Sequence, residues 1–123
     1  MKSLDSKNAD FRFKRKEHLK KKKDIGEVFS KGKRVACKEA KMFVLENKLP
    51  YNRICFTFPR AFGNSVKRNH TKRLCREVYR NFKPQLKAGF DVIVLTYPDN
   101  QRRTYAMTLM QLSRLLSKAG LLL

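Results

Sequence analysis

A chain of 123 residues is long enough for one domain with a modest core. Thirty Lys and Arg against ten Asp and Glu give a formal charge of +20, a field that attracts nucleic acid or an anionic membrane and speeds encounter with it. No apolar run approaches the ~20 residues of a membrane span, and the N-terminus lacks the apolar stretch of a signal peptide, so no membrane partner is expected and the cytoplasm is the expected location.

Residues 1–17 are polar and charged, with Phe11 and Phe13 isolated, and read as a flexible basic tail before a single domain over 18–123. His18 stands beside a lysine run and reads as solvated. Thirteen of the basic residues precede Val35, which makes this region a cationic patch. Asp24–Lys31 is predicted as a short amphipathic helix with Ile25, Val28 and Phe29 on its apolar face and Gly32 as its stop. "VACKEAKMFVLEN" reads as extended chain in two short strands, and "NKLPYN" as a turn. "RICFTF", residues 53–58, alternates, with Ile54, Phe56 and Phe58 toward a core and Arg53, Cys55 and Thr57 away from it.

"GNSVKRNHTKRLCREVYRNF" follows, bounded by Gly63 and by Pro84, and reads as a helix capped at Asn64 or Ser65. At ~100° per residue Thr71, Leu74, Cys75, Val78, Tyr79 and Phe82 gather on one side, and Asn69, Lys72, Arg73, Arg76 and Arg80 on the other. Lys72/Arg76 and Arg76/Arg80 are like-charge pairs four apart, each destabilising by about 0.2–0.5 kcal/mol. Lys67 and Arg68 lie in the first turn, where the helix dipole disfavours cations. A polyanion against this face would turn that repulsion into binding, with counterion release. "FDVIVLTY", residues 90–97, is apolar after Asp91, as for a central strand buried on both faces. Tyr105 to Lys118 closes the chain as a helix packed through Met107, Leu109, Met110, Leu112, Leu115 and Leu116. The order implies an α+β fold, one small sheet with about three helices and a strand–helix–strand crossover, right-handed by ordinary chirality.

Catalytic groups are sparse. The acids are dispersed, His18 and His70 have no evident orienting partner, and no phosphate-cradling glycine loop is present. Cys37, Cys55 and Cys75 have no metal or pairing spacing and read as buried free thiols. No catalytic residue and no metal ligand is assigned, so the chain reads as a binder of nucleic acid.

The run from Gly63 to Arg76 resembles the signature of the protein subunit of bacterial ribonuclease P. Gly63, Asn64, Val66, Arg68, Asn69, Lys72, Arg73 and Arg76 match it, and the resemblance extends over about residues 18–118. It implies a ribosomal protein S5 domain 2-like fold with a left-handed crossover, against the chirality rule. It also implies two partners, a catalytic ribonuclease P RNA and the 5′ leader of precursor tRNA, with no obligate protein partner. The reaction implied is Mg²⁺-dependent endonucleolytic removal of the leader, with Mg²⁺ used by the RNA. By similarity Arg60, Asn64, Lys67, Arg68, Asn69, His70, Lys72, Arg73, Arg76 and Arg80 would meet RNA. Ile25, Phe29 and Phe43 would line the leader cleft between sheet and first helix. Phe29 fits either stacking on unpaired bases or stapling the helix to the core. His70 stands where the family usually has Arg, Ile25 where an aromatic is common, and Ser65 where Ala is usual. "FPRAFGN" leaves Arg60 as the one cation of a normally more basic run. The alternative reading is a ribosomal or other structural RNA-binding protein without a tRNA-processing role.

Overall fold

The computed structural model describes residues 13–98 and 102–123. In chain order it forms α1 (Lys22–Lys31), β1 (Lys33–Ala36), β2 (Ala40–Glu46), β3 (Arg53–Thr57), α2 (Ser65–Phe82), β4 (Phe90–Thr96) and α3 (Tyr105–Ala119). The strands make one mixed sheet in the order β1-β2-β4-β3. β2 runs antiparallel to β1 and β4, whereas β3 and β4 are parallel neighbours joined through α2. Three helices on one sheet is the α+β architecture expected.

Strand periodicity divides the core in two. Val94 lies between Met42 and Phe56 in register, and this face packs against Cys75, Val78 and Tyr79 of α2 and Leu112, Leu115 and Leu116 of α3. Ile93 lies between Phe43 and Cys55 on the other face, under Val28 of α1 and Leu19. β4 is buried on both faces, which is why its sequence shows no alternation. Gly32 ends α1 where a side chain has no room: a Cβ there would lie 2.4 Å from the Val28 carbonyl oxygen and 3.0 Å from that of Val44. α3 ends on Gly120 in the left-handed region at φ 74°.

Several expectations are corrected. α1 begins two residues before Asp24. Phe58 falls beyond β3 and packs on Phe62, ring centroids 4.6 Å apart. In α3, Leu109 and Met110 are exposed, and Thr108 and Gln111 are buried in their place. The cause is polar: Arg103 donates from Nη1 to Gln111 Oε1 at 2.6 Å, and Gln111 reaches Thr96, so the helix turns this amide inward. Cys37 and Cys55 are only half-buried, and Cys75 alone of the three thiols is fully enclosed.

The expected tail falls mostly outside the described residues. Its last part, Phe13–Glu17, is docked: Phe13 stacks on His18 at 3.9 Å and meets the Tyr79 ring at 5.4 Å. Glu17 is buried and ion-paired to Lys83 at 2.8 Å, so the domain's contacts begin before residue 18. His18 is therefore half-buried, not solvated, and bridges to Ile54 at the free edge of β3.

Candidate nucleic-acid interface

α2 begins after Gly63, whose φ of 136° is left-handed and suits glycine. Asn64 is the cap, its Oδ1 accepting from the Lys67 N–H at 2.9 Å. With the apolar side sunk against the sheet, the opposite side is presented outward, and Asn69, Lys72, Arg73, Arg76, Glu77 and Arg80 surround an open groove. The side chains of Asn69, Lys72, Arg73, Arg76 and Arg80 make no hydrogen bond or ion pair among the described residues. The groove thus presents four cations and one amide beside the single carboxylate of Glu77. Such groups neutralise and hydrogen-bond phosphate oxygens, and they supply no acid–base chemistry.

The rest of the expected contact set has local roles. Arg68 turns back, its Nη2 donating to the Arg60 carbonyl at 2.8 Å and approaching that of Pro59 at 3.4 Å, so it braces the turn leading into α2. Its Nε is buried and unpartnered among the described residues. Lys67 lies over the Phe62 ring at 5.6 Å. The His70 ring nitrogen Nε2 is 3.2 Å from the Arg103 carbonyl, which turns this imidazole toward α3 and away from the cationic row. Arg60 is exposed at the turn.

The residues expected to line a cleft do converge. Phe29 and Phe43 meet edge to face at 4.8 Å, and Ile25 packs into the same cluster. Phe43 is buried, whereas Phe29 stays 45% exposed. Sequence reasoning missed what holds α1 over this face. Arg53 forks onto Asp91 through Nε–Oδ1 at 2.8 Å and Nη2–Oδ2 at 2.6 Å, and its Nη1 reaches Asp24 of α1 at 3.3 Å. The Asp91 hydrogen bond raises the Arg53 pKa above its ordinary value. The only sequence signal was an Arg on the polar face of a strand.

Titratable groups near the interface are tuned by burial. Burial pushes the Cys75 thiol up to about 11 and Tyr79 in the same direction. Burial, then Arg76 and Lys20, lowers His18. Among the described residues no three His, Cys, Asp or Glu side chains gather as a metal-holding group, and Glu17 and Asp91 are already paired with Lys83 and Arg53. No helix among the described residues is long and apolar enough to cross a membrane.

A family model described as Ribonuclease P matches residues 13–120. The chain belongs to the ribonuclease P protein family. The ribonuclease P protein component of Natranaerobius thermophilus is 40% identical over 104 residues, covering 85% of this chain and 90% of that one. That of Alkaliphilus metalliredigens is 38% identical over 87 residues, 71% of this chain and 78% of the relative. Among solved structures, the Staphylococcus aureus RNase P protein superposes with a TM-score of 0.79 at 25% identity, over 87% of this chain and 98% of that one. The Thermotoga maritima RNase P protein, in complex with 1-(4-fluorophenyl)-2-thiourea, gives 0.74 at 27% identity, over 82% and 98%. Ribonuclease P proteins thus share both the fold and the span in which the basic helix lies.

Proposed function

We propose that this chain is the protein component of a ribonuclease P ribonucleoprotein, binding the catalytic RNA through the outward face of α2 and the 5′ leader of precursor tRNA across the α1–sheet face. The observation that carries the reading is the self-repelling row Lys72, Arg73, Arg76 and Arg80, which has no partner among the described residues. Phosphates complete that row. The half-exposed Phe29 ring, backed by Phe43, offers unpaired leader bases a stacking surface. The chain's own part is to hold and orient RNA; hydrolysis, and the Mg²⁺ it uses, are assigned to the RNA, in the cytoplasm.

The test is binding by the reconstituted complex of precursor tRNA and of mature tRNA lacking the leader. The leader should tighten binding, and Phe29→Ala should weaken precursor binding by about one stacked base, ~1–3 kcal/mol, while leaving mature tRNA unaffected. Equal losses for both RNAs would remove Phe29 from leader recognition.

A further inference from the structure

At the free edge of β3 the docked N-terminal segment and α2 enclose a pocket of about 170 Å³. Leu19 N–H donates to the Ile54 carbonyl at 3.0 Å and fixes the segment there. Phe13, His18, Lys20, Cys55, Lys72 and Arg76 all line the pocket. None of Ile25, Phe29 and Phe43 does, so it is separate from the cleft under α1.

The lining joins two chemistries. The stacked Phe13–His18 pair and the buried strand residues form an aromatic and apolar wall. Lys20, Lys72 and Arg76 form a cationic rim from two different elements. The field of that rim reaches the pocket's titratable groups: Arg76 and Lys20 add to burial in lowering His18, while Glu17 and a backbone hydrogen bond to Phe13 act the other way. Lys72 and Arg76 oppose the burial that raises the Cys55 thiol. A flat ring beside a phosphate matches such a site, whereas a paired base in a duplex could not enter it. Lys72 and Arg76 also line the groove on α2, so a strand leaving the groove meets no neutral gap before the pocket.

We propose that this pocket takes one unpaired nucleotide of RNA, its base against the Phe13–His18 wall and its phosphate against Lys20, Lys72 and Arg76. The inference rests on the reading of α2 as an RNA-binding helix. It adds Phe13, His18, Lys20 and Cys55 to the contact surface and makes the N-terminal segment part of the site.

The thiols supply the readout. Cys55 lines the pocket, Cys37 is half-exposed at the turn between β1 and β2, and Cys75 is enclosed. The full chain is alkylated with iodoacetamide at low salt, with and without a single-stranded RNA decamer, and each cysteine is followed by mass spectrometry while binding is followed by fluorescence anisotropy. RNA should slow alkylation of Cys55 at least fivefold and leave Cys37 unchanged. The exposed Lys20, changed in Lys20→Gln, should lose most of that protection. Bound RNA with Cys55 still reactive, or with both thiols slowed alike, would overturn the pocket and leave the α2 reading standing. Failure of RNA to bind at all would overturn both. Protection by inorganic pyrophosphate as complete as by RNA would overturn the base-binding half of the assignment.

Discussion

Arg76→Gln should make the free protein more stable and its RNA complex weaker. Arg76 has Lys72 one turn before it and Arg80 one turn after it, both on the groove, and it makes no ion pair among the described residues. Each like-charge pair destabilises a helix by about 0.2–0.5 kcal/mol, so removing both should stabilise by about 0.4–1 kcal/mol. Glutamine keeps much of the stem and a comparable helix propensity, so packing and propensity change little. The gain should fade near 1 M salt, where the screening length is only ~3 Å. RNA binding should respond in the opposite direction. One lost phosphate contact lowers the slope of log affinity against log salt by ~0.7–0.9, so the affinity penalty should shrink about threefold between 50 and 200 mM salt. Urea titrations at two salt concentrations measure the first effect, and anisotropy with the cognate RNA over a salt series measures the second. A variant less stable than the parent, with an unchanged salt slope, would mean that Arg76 is held by its own protein and would refute the reasoning.

Gly32→Ala should destabilise by about 1–3 kcal/mol, because its Cβ would press on the Val28 and Val44 carbonyl oxygens at 2.4 and 3.0 Å, backbone atoms that cannot swing aside; an unchanged urea midpoint would contradict this. Arg53→Met strips the fork from Asp91, which is only 5% exposed, and should destabilise by about 3 kcal/mol, the low end for a broken buried pair because Asn47 Nδ2 still donates to Asp91 at 2.8 Å. The variant should also loosen α1, through loss of the Asp24 contact, and raise amide exchange there. Burial lifts the Cys75 thiol from 9.0 to about 11, so the folded state keeps a proton that the unfolded chain releases. Its stabilising effect is complete below pH 9 and is lost as pH rises toward 11, on the order of 2 kcal/mol, with Tyr79 shifted in the same sense. Cys75→Ala should flatten the decline between pH 9 and 10.5, and a decline as steep as the parent's would assign it to other groups.

Elements whose own pattern reports their environment were legible in the sequence. β3 alternates because one face is core, β4 is uniformly apolar because both faces are, and α2 separates cations from apolar residues at helical spacing. Features decided by distant partners were not. Gln111 is drawn inside by Arg103, so apolarity alone wrongly placed Met110 in the core. Phe13 docks on His18 and Tyr79, and no period in a basic stretch announces that contact. Arg53 meets Asp24 and Asp91 across 29 and 38 residues of chain. Within the site, the row from Asn69 to Arg80 stands as the helical wheel placed it. Arg68 and His70 belong to the same run, yet their side chains turn to the Arg60 and Arg103 carbonyls, a choice made by the neighbouring loop and helix.

The most direct test of the account is cleavage of precursor tRNA at low Mg²⁺ by the cognate ribonuclease P RNA, with and without this chain. The protein alone should be inert, and RNA plus protein should cut at the mature 5′ end far faster than RNA alone. Cleavage unchanged by folded, RNA-binding protein would favour a structural RNA-binding role instead. Cleavage by the protein alone would contradict the assignment of hydrolysis to the RNA.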